Sequence, residues 1–134
     1  MPQPFRCILV TPERQVLDEP VSHVSIPAWD GQIGLKSQRA PLVAKLGFGS
    51  LEIELQSGET RAFFVGGGFA QMKDNELSIV TDEATPADAI DRRDAEAELR
   101  QALEKPASGD DAINRRQNQV DRARARAHLA GRGG

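Results

Sequence analysis

The chain has 134 residues, enough for one ordinary domain or for a small domain with an appendage. Hydrophobic residues make up 39% of the sequence and Tyr is absent, so a single large core is not expected. A net charge of −3 argues against general nucleic-acid binding, and a single Cys excludes a disulfide within the chain.

The N-terminus, MPQPFRCILV, lacks the basic start and the long apolar stretch of a signal peptide. No run approaches the ~18 apolar residues that cross a bilayer. We therefore expect a soluble protein inside the cell, or one that reaches a membrane surface through a partner. Cys7 lies in an apolar run and is expected to be a buried, unreactive thiol.

Up to about residue 82, apolar residues recur with the period of two that is typical of β-strands. Ser57-Gly58 and Asp74-Asn75 separate neighbouring runs and predict hairpins. Short strands with frequent turns favour an antiparallel sandwich or barrel, and we predict a β-sandwich. The predicted strands are residues 5–10, 21–26, 51–55, 61–65, 69–73 and 77–81.

Residues 62–65 are apolar on both faces, as in a strand that is covered on both sides. Gly66, Gly67 and Gly68 follow, which invites comparison with a phosphate-binding loop. Such a loop would continue with Lys and Ser or Thr, but this sequence continues with Phe69. The glycines are therefore expected to permit a bulge or a close approach of two backbones.

Residues 24–43 combine the only Trp with two cations and several turn-forming residues. Gly31 and Gly34 would shape a compact loop. Two interpretations stay open: a Trp half-buried under its own turn, or a recognition loop, because aromatic and Arg residues are enriched at the centres of protein interfaces. The side chains that such a loop would present are Trp29, Gln32, Lys36 and Arg39.

After residue 84 the composition changes to residues that favour helices. Thr85 is expected to cap a helix over residues 87–105, with Pro86 in its first position. Ser108 is then expected to cap a second helix that ends near Ala130. The sequence thus predicts two domains, a β-sandwich over 1–84 and a two-helix hairpin over 85–134.

The predicted hairpin has few large apolar side chains, so we expect it to dock on another surface or to move. Its candidate apolar residues are Ala95, Leu99, Ala102 and Leu103 in the first helix and Ile113, Val120, Ala123 and Ala127 in the second.

Charge also divides the hairpin: residues 83–111 carry nine acids and four bases, whereas residues 112–134 carry six arginines and one acid. Either the two helices attract each other, or the arginines bind an acidic partner surface. Exposed ion pairs contribute only about 0–1 kcal/mol each, so the cluster would select a partner more than strengthen its binding. The candidate arginines are Arg115, Arg116, Arg122, Arg124 and Arg126.

No catalytic grouping assembles in the sequence, so we expect a protein that is not an enzyme. His23, His128 and Cys7 supply too few ligands at these spacings for a metal site. Glu52 and Glu54 fit the polar face of an amphipathic strand.

Five motifs follow one another along the chain: T-P-E, V-x-I-P-x-x-D-G-x-I-G-L, R-A-P-L, F-F-V-G-G-G-F-A and N-x-L-x-I-V-T-D-E-A. Their order resembles the epsilon subunit of the F-type ATP synthase of bacteria. The resemblance implies a non-catalytic subunit of the rotating central stalk of a proton-translocating enzyme, peripheral on the cytoplasmic face of the bacterial inner membrane. The implied partners are the gamma subunit and the c-subunit ring, without nucleic acid and with the membrane reached only through the complex.

The resemblance also implies roles for residues. The loop would face the c-ring through Gln32 and Arg39, with Trp29, Asp30 and Lys36 as neighbours. The hairpin would fold against the sandwich or extend along gamma toward the beta and alpha subunits, where it blocks ATP hydrolysis. In that state the arginines of the second helix would meet an acidic segment of beta.

This sequence departs from the family in two places. Arg39 stands where the family usually has His. Some members bind ATP through an I/L-D-x-x-R-A motif, but Asp94 replaces its Arg here and would repel phosphates, so ATP as a regulatory ligand is not expected unless Arg92 or Arg93 substitutes. No other cofactor is expected. The residues aligned with that motif are Ile90, Asp91, Arg92, Arg93 and Ala95.

Two alternatives stay open beside the rotor subunit. One is a free-standing β-sandwich adaptor whose basic helical tail binds an acidic protein or RNA. The other is a nucleotide sensor.

Overall fold

The computed structural model describes residues 3–104 and 109–133. Over these residues the chain forms nine strands, a short 3-10 helix over Ala87–Ala89 and two α-helices. The strands are β1 (Phe5–Val10), β2 (Gln15–Ala28), β3 (Gly31–Leu35), β4 (Leu42–Lys45), β5 (Phe48–Leu55), β6 (Thr60–Gly66), β7 (Phe69–Lys73), β8 (Glu76–Val80) and β9 (Ala84–Pro86), and the helices are α1 (Arg92–Glu104) and α2 (Asp110–Gly133).

The strands follow the order β4-β7-β8-β1-β2-β5-β6-β9, and β3 pairs with β2. β1 and β8 are parallel, whereas the other paired strands are antiparallel. The first half of the long strand β2 pairs with β1, and its second half pairs with β3 and β5. β2 thereby joins the two layers of a β-sandwich, and the predicted fold class is confirmed.

The core lies between the layers because alternate side chains of each strand turn away from water. Leu51, Ile53 and Leu55 are buried, whereas Glu52 and Glu54 between them are exposed, as the alternation predicted. Both predicted hairpins are present: β5 pairs with β6 across Ser57-Gly58, and β7 pairs with β8 across Asp74-Asn75.

The two neighbouring phenylalanines of β6 are buried in different places. Phe63 belongs to the sandwich core, and Phe64 belongs to a second apolar cluster under the helical hairpin. This explains why residues 62–65 are apolar on both faces: the strand has the sandwich core on one side and the hairpin on the other. Besides Phe64, the buried members of the second cluster are Ala87, Ile90, Ala95, Leu129 and Ala130.

The glycines after β6 permit the close approach that the sequence predicted. Gly67 and Gly68 have φ angles of 78° and 106°, which side chains rarely adopt. A Cβ on Gly68 would overlap the carbonyl oxygen of Val80 and lie 2.7 Å from the Cα of Thr81. The Thr81 hydroxyl donates to the Gly67 carbonyl at 2.7 Å, which fixes the bend.

The compact loop predicted around Gly31 and Gly34 is wrong, because residues 31–35 form strand β3. Its register pairs Gly31 with Ala28 and Leu35 with Val24, so β2 and β3 form a hairpin with a two-residue turn. The glycines do not prevent pairing: Gly31 adopts a φ of 141°, and the fully buried Leu35 secures the strand to the core.

The predicted start of the first helix is also wrong. Thr85 lies in β9, paired with Phe64, because the sheet takes up this segment. α1 begins at Arg92, where the Asp91 carboxylate caps it by accepting the Asp94 N–H at 3.0 Å. α2 continues to Gly133 instead of ending near Ala130. The predicted cap at Ser108 lies outside the described residues.

The hairpin packs partly as predicted. Ala95, Ala102, Val120 and Ala123 are buried, and Leu99 and Ala127 are half-buried. Leu103 and Ile113 are 45% and 51% exposed, and Leu129, which the sequence interpretation overlooked, is buried. Over the described residues, neither helix is long and apolar enough to cross a membrane.

Candidate interaction site

The turn between β2 and β3 presents the only Trp to solvent. Trp29 is 72% exposed, and its neighbour Asp30 is also exposed, so the interpretation of a Trp half-buried under its turn is wrong. The turn is nevertheless anchored. The Trp29 N–H donates to the Lys45 carbonyl, and the Gly47 N–H donates to the Pro27 carbonyl, both at 2.9 Å. The tip is therefore an exposed aromatic side chain on a fixed backbone.

Gln32 lies beside this tip on the outer surface of the sheet. Its amide Nε2 donates to the Ser25 hydroxyl at 2.9 Å and to the Ser50 carbonyl at 3.3 Å. These two bonds hold the exposed side chain against β2 and β5, so its carbonyl oxygen is presented in a defined direction.

Lys36 and Arg39 are exposed at the other end of β3, away from the tip. The segment that carries them is held by Asn75, whose Oδ1 accepts the Gln38 N–H at 2.9 Å and the Ser37 hydroxyl at 3.2 Å. Five residues of extended chain separate Gly31 from Lys36, which corresponds to roughly 16 Å. The structure thus splits the predicted loop residues into two groups: Trp29, Asp30 and Gln32 at one end, and Lys36 and Arg39 at the other.

Exposed apolar residues follow the tip across the neighbouring strands. In the strand register, Lys45 lies opposite Phe69, and Phe69 lies opposite Val80. The exposed fractions of the apolar residues range from 55% for Val80 to 72% for Trp29. We call the set Trp29, Val43, Phe69 and Val80 the apolar face. The sequence interpretation missed it, although Phe69 is two and four residues from the polar Gln71 and Lys73 of β7, so the period of two places it on their outward face.

The candidate arginines of α2 divide into two groups. Arg115 and Arg124 are exposed, and Arg116 donates to the Leu103 carbonyl at 2.7 Å. Arg122 and Arg126 instead turn toward the sandwich, where their guanidinium carbons lie 5.9 and 5.3 Å from the ring centre of Phe64. Arg116 contacts α1 through the Leu103 carbonyl, and Arg122 and Arg126 contact it through Glu98. The predicted attraction between the two helices therefore accounts for part of the basic cluster.

Arg122 and Arg126 form a charge cluster with Glu83 and Glu98. Arg122 donates to both carboxylate oxygens of Glu83, at 2.8 and 2.7 Å, and also to Glu98. Arg126 donates to Glu83 at 2.9 Å, and its Nε lies 3.5 Å from Glu98. Hydrogen bonding to Glu83 raises the pKa of Arg122 above its ordinary value. Two cations thus balance two carboxylates between α2, α1 and the sandwich.

The residues aligned with the ATP-binding motif have packing and capping contacts in the structure. Ile90 and Ala95 are buried in the second apolar cluster, and Asp91 caps α1. Arg92 pairs with Glu96 at 3.1 Å. Arg93 is exposed. That ATP does not bind here unless Arg92 or Arg93 substitutes for the missing Arg stays a prediction.

Cys7 is fully buried, and burial raises the pKa of its thiol to about 12, so the thiol stays protonated and unreactive. No group of three or more His, Cys, Asp or Glu side chains suited to a metal ion was found among the residues that the structure describes.

The described residues thus form a β-sandwich with an exposed aromatic tip, an apolar outer face and a docked helical hairpin, and exposed apolar patches of this kind are typical of proteins that bind other proteins. Residues 4–87 match the family described as ATP synthase, Delta/Epsilon chain, beta-sandwich domain. The chain belongs to this family.

Curated relatives extend the similarity beyond the sandwich. The chain is 39% identical over 120 residues to the ATP synthase epsilon chain of Rhodopirellula baltica, covering 90% of this chain and 93% of that one. It is 34% identical over 119 residues to the epsilon chain of a Synechococcus strain, covering 89% and 86%.

Solved structures share the fold. A chain of the Euglena gracilis mitochondrial ATP synthase superposes with a TM-score of 0.84 at 24% identity, over 93% of this chain and 80% of that chain. A chain of the Tetrahymena thermophila enzyme, from a structure of its central stalk and c-ring, gives 0.72 at 16% identity, over 93% and 95%.

Proposed function

We propose that this chain is the epsilon subunit in the central stalk of a bacterial F-type ATP synthase, a non-catalytic rotor subunit that couples gamma to the c-ring. The observation that carries this proposal is the likeness to bacterial epsilon chains over nine-tenths of the chain, hairpin included. The chain would sit peripherally on the cytoplasmic face of the inner membrane, bound through the complex, and the enzyme would move protons.

The tip is proposed to contact the c-ring. A rotor contact must transmit force without bending, and the backbone bonds from Trp29 to Lys45 and from Gly47 to Pro27 supply that rigidity. Lys36 lies roughly 16 Å from Gly31 along β3, and Arg39 follows in the next turn. Both groups can touch the ring only if this edge of the sandwich lies along the ring surface.

The part of the apolar face beyond the tip, formed by Val43, Phe69 and Val80, is proposed to bind gamma. Burial of a large apolar side chain contributes up to about 1.5–3 kcal/mol, so Val43, Phe69 and Val80 would contribute to such a contact. Because the face adjoins the tip through Lys45, one subunit can hold gamma and the ring at the same time.

The hairpin is proposed to regulate hydrolysis. In the docked state its second helix covers Phe64. When it extends along gamma, its arginines would become available to acidic segments of the beta and alpha subunits, with Arg115 and Arg124 already exposed in the docked state.

A pull-down from native membranes with the tagged full chain tests the proposal. Recovery of gamma and c subunits is expected, and recovery of acidic proteins or RNA without them would favour the adaptor. Adding the chain to its own epsilon-depleted enzyme should restore ATP-driven proton pumping. The Trp29→Ala variant should restore it less well, whereas Leu103→Ala, an exposed substitution in the hairpin, should match the wild type. Unchanged pumping after removal of the chain would contradict the rotor role.

A further inference from the structure

The charge cluster joins three parts of the molecule at one point. Glu83 belongs to the sandwich, Glu98 to α1, and Arg122 and Arg126 to successive turns of α2. The four side chains are between 18% and 39% exposed, so water screens their attraction less than it screens a surface pair. Both guanidinium groups also lie over the ring of Phe64, which adds cation–π attraction.

Glu83 sits on a rigid support. Its carbonyl accepts the Gly66 N–H at 3.1 Å, and its own N–H donates to the hydroxyl of Thr81, which is 1% exposed. Its carboxylate accepts three hydrogen bonds, two from Arg122 and one from Arg126. It is therefore the fixed anchor on the sandwich side.

Glu98 has a different position, because it belongs to the hairpin itself. When the hairpin leaves the sandwich as a unit, Glu98 can remain beside Arg122 and Arg126, whereas Glu83 is left behind. Undocking therefore breaks only the contacts with Glu83, and it leaves the two arginines and Glu98 on the hairpin with a net charge of plus one that Glu83 no longer balances.

We propose that this cluster is an asymmetric electrostatic latch, in which Glu83 holds the hairpin on the sandwich and Glu98 holds the two helices of the hairpin together. The latch depends only on residues of this chain, so a test of the latch does not depend on the proposed rotor role. Loss of the Glu83 carboxylate should release the hairpin, because two guanidinium groups would then face one carboxylate in a partly buried site. Loss of the Glu98 carboxylate should affect docking much less, because Glu98 contacts the arginines in both states.

Thiol labelling in the full-length chain can test the latch. Ala130 is 6% exposed within the second apolar cluster, so a thiol introduced by Ala130→Cys becomes accessible when the hairpin undocks. Cys7 is fully buried in the sandwich and serves as the internal reference. In this background, Glu83→Gln should raise the labelling rate with iodoacetamide about tenfold or more. Glu98→Gln should raise it less than about threefold.

Glu96→Gln is the matched control, because it removes an exposed carboxylate of the same helix that pairs with Arg92. It should label like the parent. Arg122→Gln removes two of the three hydrogen bonds to Glu83 and leaves the sequence of the sandwich unchanged, so it should also raise the labelling rate, but not above that of Glu83→Gln, because Arg126 still contacts Glu83. Equal rates for Arg122→Gln and Glu96→Gln would overturn the latch, and a Glu98→Gln rate as high as that of Arg122→Gln would overturn its asymmetry.

Discussion

Replacement of Leu129 by Ala should release the hairpin without unfolding the sandwich. Leu129 is 4% exposed and is one of three large apolar side chains buried in the second cluster, with Phe64 and Ile90. Leu-to-Ala changes at buried sites cost about 2–5 kcal/mol. The cluster lies at the boundary between two units and can partly close the gap, so we expect about 2–3 kcal/mol, or a roughly 30- to 150-fold larger undocked population.

Amide hydrogen exchange of the full chain, resolved by segment, measures this change. In the wild type we expect exchange over 87–130 to be much faster than over 50–82, because little apolar area secures the helices. Leu129→Ala should accelerate exchange over 87–130 and leave 50–82 unchanged. Leu103→Ala, the same substitution at a side chain that is 45% exposed, should change neither segment. Equal acceleration of both segments would show that sandwich and hairpin unfold together, and that the hairpin is not a separable unit.

Three further outcomes are expected. Gly68→Ala should lower the free energy of unfolding in urea by more than about 4 kcal/mol, because the added Cβ overlaps a neighbouring strand. Gly58 has a similar φ but lies in open space, so Gly58→Ala should lower the free energy of unfolding by only about 1–2 kcal/mol. Equal losses at the two positions would contradict the steric explanation. The Cys7 thiol, with its pKa raised to about 12, should resist alkylation at pH 8 until the chain is unfolded, as mass spectrometry of labelled protein can show. Arg6 lowers the pKa of Asp18, so this carboxylate should stabilise the fold above its unfolded-state pKa, and the contribution should fade as pH falls through the lower folded value. Asp18→Asn should therefore weaken the pH dependence of the melting temperature between about pH 2 and 6, and an unchanged pH dependence would contradict the linkage.

Much of the sandwich could be predicted from the sequence because most of its strands have one face exposed to solvent, so polar and apolar residues alternate along them. Residues 51–55 alternate in the sequence and alternate in burial. Errors arose where pairing between distant segments overrides local preference. Thr85 resembles a helix cap, but Phe64, twenty-one residues earlier, pairs with it in the sheet. Gly31 and Gly34 resemble loop residues, but pairing with β2 makes them part of a strand.

The candidate site was harder to predict than the fold. The composition of residues 24–43 pointed to recognition, and Trp29 is indeed exposed. The separation of Lys36 and Arg39 from the tip depends on strand register, which the sequence of one segment does not reveal. Leu129 was overlooked for a related reason: near the end of a helix its burial depends on a partner strand, and no local pattern encodes that partner.

The structure adds a constraint on any acidic partner of α2. Arg122 and Arg126 cannot bind Glu83 and a partner carboxylate in the same geometry at the same time, so a partner that needs them competes with docking. Its apparent affinity equals its intrinsic affinity multiplied by the fraction of chains whose hairpin is undocked, so a mostly docked hairpin weakens binding. Arg115 and Arg124 carry no such penalty, because they are exposed while the hairpin is docked. An acidic surface can therefore bind Arg115 and Arg124 first, and it can bind Arg122 and Arg126 only when the hairpin leaves the sandwich. The stability of the docked state therefore sets the strength of the contact with Arg122 and Arg126.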